Sequence, residues 1–136
     1  MWTCPKCQRI FVKTKQPHSC QKIPLEQHFK HKEKAKVLFD LLLKAIYKEI
    51  GPCKIISLPC CIHLFGNNDF LAALPKKNML EIRFALDRVL TSQRLKVGIA
   101  VSAGAYKNCI HIGAKTEIDT ELISWLRQSY NLKGTM

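Results

Sequence analysis

Acid is what this chain has least of. Ten Asp and Glu stand against 22 Lys and Arg in 136 residues, a formal net charge of +12. That balance excludes an iron-binding surface built of clustered carboxylates and makes polyanions the natural partners. Long apolar runs are also missing. With a mean hydropathy of -0.06 and nothing approaching the roughly 20 apolar residues of a membrane span, a transmembrane helix is excluded. The opening Met1-Trp2-Thr3-Cys4-Pro5-Lys6-Cys7 lacks the basic-then-apolar order of a secretory signal, so a cytoplasmic protein is expected. There is no repeat at a fixed period and no low-complexity tract beyond one lysine-rich stretch.

What is present suits a folded chain. Hydrophobic residues make up 47%, and the length leaves room for one ordinary domain plus a small appendage. The seven cysteines are an odd number, and their clearest pairing is Cys-x-x-Cys, which in a reducing compartment means metal or redox chemistry rather than a disulfide framework.

The first twenty residues place Cys4, Cys7, His18 and Cys20 at metal-ligand spacing. A Cys-Pro-x-Cys pair lets two thiolates converge on one ion, a second pair completes a tetrahedron, and zinc suits the N/S set. Trp2 and Phe11 supply the apolar surface of a hairpin. Pro17 and the one-residue gap between His18 and Cys20 exclude the helical half of a classical finger, and with it a recognition helix. His28 is an alternative fourth ligand. We expect a zinc-ribbon-like module over residues 1–22.

Pro24 suits the first position of a helical turn carrying Leu25, His28 and Phe29. Val37, Leu38, Leu41, Leu42, Ala45, Ile46 and Ile50 then recur at helical spacing from about Glu33, and Gly51-Pro52 ends the run. Beyond it the period changes. Strands are expected over Cys53 to Ser57, Cys60 to Phe65, Phe70 to Leu74, Leu80 to Leu86, Leu95 to Val101 and Tyr106 to Ile112, with turns at Gly66-Asn67-Asn68 and Pro75-Lys76-Lys77-Asn78. Thr116 is expected to cap a last helix whose stripe is Ile118, Leu122, Trp125 and Leu126. The fold class is therefore α+β: residues 23–136 form an antiparallel meander sheet flanked by an N-terminal and a C-terminal helix, both packed on one face.

The head Trp2-Thr3-Cys4-Pro5-Lys6-Cys7-Gln8-Arg9-Ile10-Phe11, the run Gln16-Pro17-His18-Ser19-Cys20, Phe39 before Gly51-Pro52, and Trp125-Leu126 with Tyr130 together resemble the bacterial domain-of-unknown-function family 5655. The resemblance implies that Cys4, Cys7, His18 and Cys20 belong together. It implies no activity.

Between Lys6 and Lys36 nine basic residues face only Glu26 and Glu33. Lys30, Lys32, Lys34 and Lys36 open a helix whose dipole they oppose, a cost of about 0.3–1 kcal/mol each where exposed; a nearby anion would offset it. With Lys13, Lys15 and Lys22 they form the expected contact surface for nucleic acid or an acidic protein. A non-enzymatic, zinc-stabilised binding protein is the leading expectation. The alternative is a small enzyme or ligand-binding protein using the wet face of the sheet, with His63, Glu81, Arg83 and His111 as its polar groups. Cys60, Cys61 and His63 suggest a nucleophile and base or a second metal site, since Cys61 and His63 share a face of a strand. Cys53 and Cys109 read as core fillers, and Glu81 with Arg83 as an exposed charge pair.

Overall fold

The computed structural model describes residues 2–6, 10–11, 13–15, 17, 22–66, 68–102 and 104–132. A two-stranded ribbon comes first, β1 (Trp2–Thr3) against β2 (Ile10–Phe11), with Trp2 opposite Phe11. Cys4 and Phe11 are buried together and Trp2 packs on them. After Pro24 a 3-10 turn, Leu25–Phe29, leads into α1 (Glu33–Glu49). Helix α1 buries Ala35, Leu38, Phe39, Leu42 and Ile46, one in every three or four residues. Val37 and Leu41 of the expected stripe instead lie exposed: the apolar arc in the sequence is wider than the face the sheet covers.

Six strands follow: β3 (Lys54–Ser57), β4 (Ile62–Phe65), β5 (Asp69–Pro75), β6 (Leu80–Leu86), β7 (Leu95–Ser102) and β8 (Ala105–Ile112). All neighbours pair antiparallel in the order β3-β4-β5-β6-β8-β7. The first four form a meander, and β8 then slots between β6 and β7. This exchange has a visible anchor. Asn108, fully buried on β8, accepts a hydrogen bond from the Leu90 amide (2.8 Å) and donates to the Arg88 carbonyl (3.0 Å). It thereby holds the long connection from β6 as it passes over β8 to reach the edge. Gly104, at φ +79°, closes the β7–β8 hairpin, a conformation that costs glycine little.

Helix α2 (Thr120–Asn131) is capped by Asp119, whose carboxylate accepts from the Leu122 amide at 2.9 Å. Thr116 lies in a 3-10 turn, Lys115–Glu117, so the expected cap falls three residues early. Glu117 is used there to accept the Gly113 amide at 2.7 Å. Both helices lie over one face of the sheet, where Leu42, Ile46, Leu122 and Leu126 meet Ile62, Leu71, Ile82, Phe84 and Ile110 in one core. Each such side chain contributes about 1.5–3 kcal/mol. Tyr130 locks the end of α2: its ring stands edge-on to Phe70 at 5.0 Å and its hydroxyl donates to the Pro52 carbonyl at 2.7 Å. A Cβ on Gly66 would come within 2.4 Å of that ring.

Candidate functional site

The sheet face away from the helices carries the chemistry, because strand alternation sends the residues between the core positions there. Register makes one row explicit. His63 on β4 stands opposite Ala72, Ala72 opposite Arg83, Arg83 opposite Cys109, and Cys109 opposite Val97. Ala72 is small, so a gap opens between His63 and Arg83. Glu81 and His111, also cross-strand partners, form the adjacent row.

A bulge adds Asp69 to this face. Leu64 pairs with Leu71, but Phe65 pairs with Asp69, leaving Phe70 as the extra residue. That one-residue insertion turns Asp69 to the side of His63 while Phe70 and Leu71 are both buried. Asp69 Oδ2 then lies 2.7 Å from His63 Nδ1, and His63 Nε2 lies 3.1 Å from Cys61 Sγ. Cys61 follows the turn that carries Pro59 and Cys60, where the Leu58 amide donates to the Cys61 carbonyl at 3.0 Å. The two vicinal sulfurs are 3.0 Å apart. Cys60 is exposed at the tip and Cys61 buried.

Cys61, His63 and Asp69 have the order of donors found in a nucleophilic triad, but the thiol is not activated. Burial, with the Cys60 hydrogen bond and charge behind it, pushes the Cys61 pKa up to about 12. A thiol in that state is a poor nucleophile at neutral pH.

In the second cluster Glu81 is 8% exposed. Arg83 binds it at 2.7 Å and His111 Nε2 lies 3.1 Å from its other oxygen. Burial alone would raise the Glu81 pKa, but the hydrogen bonds from Arg83 and His111 and the Arg83 charge hold it below the usual carboxylate value. The pair is therefore partly buried and shared with His111, where sequence reasoning saw an exposed strand pair. Cys109 sits among these groups with its thiol pKa raised, by burial first and then by Glu81. It belongs to the open face rather than the helix-covered core, whereas Cys53 does pack at the core's edge.

Beside this cluster lies an open cavity of about 390 Å³ reached by Glu81, Arg83, Lys96, Val97, Ile99 and Lys107. A second, of about 220 Å³, runs from His63 and Asp69 past Ala72 and Arg83 to Val101 and Lys107. Val97, Ile99 and Val101 are each about half exposed, at 48%, 56% and 54%. The four polar residues expected of a wet-face site thus share one side of the sheet. Sequence reasoning missed Lys96, Lys107, Asp69 and the role of Cys109. For Lys107 the signal was present, in its alternation with Ile110; for Lys96 and Asp69 it was hidden by register shifts, between Leu95 and Val97 and between Leu64 and Phe65.

The basic linker divides. Lys13, Lys15, Lys22, Lys30 and Lys34 are exposed. Lys32 donates to the Pro75 carbonyl at 3.1 Å, and Lys36 pairs with Asp40 at 2.7 Å and lies over the Phe29 ring. Of the expected zinc ligands, Cys4 is described and buried in the ribbon; Cys7, His18 and Cys20 lie outside the described residues. The alternative ligand His28 is half-buried, and its Nε2 has no hydrogen-bond partner among the described residues. Burial lowers its pKa.

A family model described as a domain of unknown function (DUF5655) matches residues 25–133. The chain belongs to that family. The DUF5655 match takes in both long helices and the six-stranded sheet and begins after the ribbon, so the open face lies wholly inside it. Comparisons with curated proteins and with solved structures give no match. No helix among the described residues is long and apolar enough to cross a membrane.

Proposed function

We propose that this DUF5655 protein is a non-enzymatic binding protein for single-stranded nucleic acid, using the open sheet face as its platform. The supporting observation is the cavity where Arg83, Lys96 and Lys107 surround exposed Val97 and Ile99, while its one carboxylate, Glu81, is paired with Arg83 and hydrogen-bonded to His111. Cations beside an apolar strip suit a phosphate backbone with bases laid against the sheet. A protonated Cys61 favours binding over thiol catalysis. In this reading Cys4, Cys7, His18 and Cys20 hold a structural zinc in the ribbon; burial of Cys4 beside Phe11 fits the hairpin half of such a site. Exposed Lys13, Lys15, Lys22, Lys30 and Lys34 extend the basic surface, with Lys32 and Lys36 contributing less because they are engaged within the protein.

Fluorescence anisotropy with labelled single strands across a salt series tests this. Three phosphate contacts give a slope of log affinity against log salt near about -2, at roughly -0.7 per phosphate. Lys96→Glu with Lys107→Glu should flatten it more than Lys30→Glu with Lys34→Glu. The absence of binding at low salt, or reversals on the linker mattering more than those on the sheet, would remove the platform from the reading.

A further inference from the structure

We propose that the hairpin tip between β3 and β4 is a second metal site, separate from the ribbon, in which Cys60, Cys61 and His63 bind a zinc-class, thiophilic cation. Their ligand atoms all lie within 4.8 Å of one another. His63 is the organising group. Its Nδ1 is 2.7 Å from the Asp69 carboxylate, which fixes the proton on Nδ1 and leaves the Nε2 lone pair directed at Cys61, 3.1 Å away. A carboxylate behind a histidine in this way orients the ring and raises its basicity toward a metal.

The other candidate cluster, Glu81 with Cys109 and His111, does not compete. Glu81 is held by Arg83 at 2.7 Å, so a cation there would meet a guanidinium and lose its carboxylate. At the hairpin tip the carboxylate, Asp69, is bound to His63 rather than to a guanidinium.

The tip also has the freedom the site requires. Two thiolates on one tetrahedral zinc, with Zn–S near 2.3 Å, stand about 3.8 Å apart, against 3.0 Å between the two thiols here. Cys60 is exposed at the turn and can swing outward, whereas His63 is fixed by the sheet and Cys61 by the hydrogen bond its carbonyl accepts from the Leu58 amide. Binding replaces both S–H protons, so one Zn²⁺ enters and two protons leave to solvent, with no change of oxidation state. Three protein ligands leave the fourth position to water or an incoming ligand, the form of an open rather than a closed structural site.

The experiment is titration of the full-length, reduced, metal-free protein with Cd²⁺ or Zn²⁺, counting equivalents by thiolate charge-transfer absorbance and calorimetry. Wild type should take one more equivalent than Cys60→Ser/Cys61→Ser, whatever the ribbon binds. Asp69→Asn should keep the count and weaken the added site about 10- to 100-fold. Equal equivalents in the wild type and a folded double variant would overturn the proposal. If that variant does not fold, the His63 imidazole nitrogen signals of the wild type decide: they should move on zinc addition, and their constancy through saturation would overturn it equally.

Discussion

The two faces of one sheet are built from the same strands and do opposite things. On the helix side Ile62, Leu64, Ile82, Phe84 and Ile110 are no more than 1% exposed and meet the helices in a single apolar core. One residue along each strand, the other side holds His63, Arg83, Lys107, Cys109 and His111, and no helix among the described residues covers it. Because the side-chain period of a strand is two, stability and chemistry are separated here by direction rather than by position in the chain. Substitutions at neighbouring residues should therefore differ sharply in kind.

The largest effect is expected on the covered side. Phe84→Ala removes a fully buried ring that stacks with Trp125 and should cost about 3–5 kcal/mol, read as a lowered denaturation midpoint; Val97→Ala across the sheet should stay within about 0.5 kcal/mol. Asn108→Ala should come next, at about 1–3 kcal/mol, because the buried Leu90 amide loses its acceptor. Urea denaturation with an unchanged slope checks it. Loss of the Asp119 cap on α2 is smaller, about 1 kcal/mol for Asp119→Ala, measurable as a lowered Tm.

Glu81→Gln sharpens the comparison from the open side, at about 1 kcal/mol near neutral pH once the exposure of Arg83 is discounted. Its pH dependence has a definite sign. The folded pKa is depressed, so the contribution is complete above the unfolded value of about 4.3 and is lost as pH falls through the lower folded value. Wild type and Glu81→Gln should therefore differ at pH 7 and converge in strong acid. A difference that persists below that range would point to packing rather than charge.

Elements governed by local spacing were legible from the residues alone. The start of α1 at Glu33, the stripe of α2 and the alternation from Leu80 to Leu86 all rest on periodicity, which survives without tertiary context. What escaped were outcomes of non-local competition. Thr116 and Asp119 are both good caps, and the bond to Leu122 selects the second. The β7–β8 exchange depends on Asn108 holding a connection some 20 residues away in sequence. Asp69 reaches His63 only because a bulge reverses its side. Cys109, two residues before His111, also follows alternation onto the open face; its reading as a core filler rested on residue type, and pairing with Arg83 and Val97 shows what it lies among. Half of the polar row was nonetheless visible, since His63, Arg83, Glu81 and His111 follow alternation.

The functional division between the faces is tested most directly by methyl NMR during titration with a single-stranded oligonucleotide at low salt. Methyl signals of Val97, Ile99, Val101 and Ala72 should shift together, while those of Ile82, Ile110 and Leu71 on the covered side stay in place. Shifts confined to exposed Val37 and Leu41 on α1, with the open-face methyls unmoved at saturation, would contradict it.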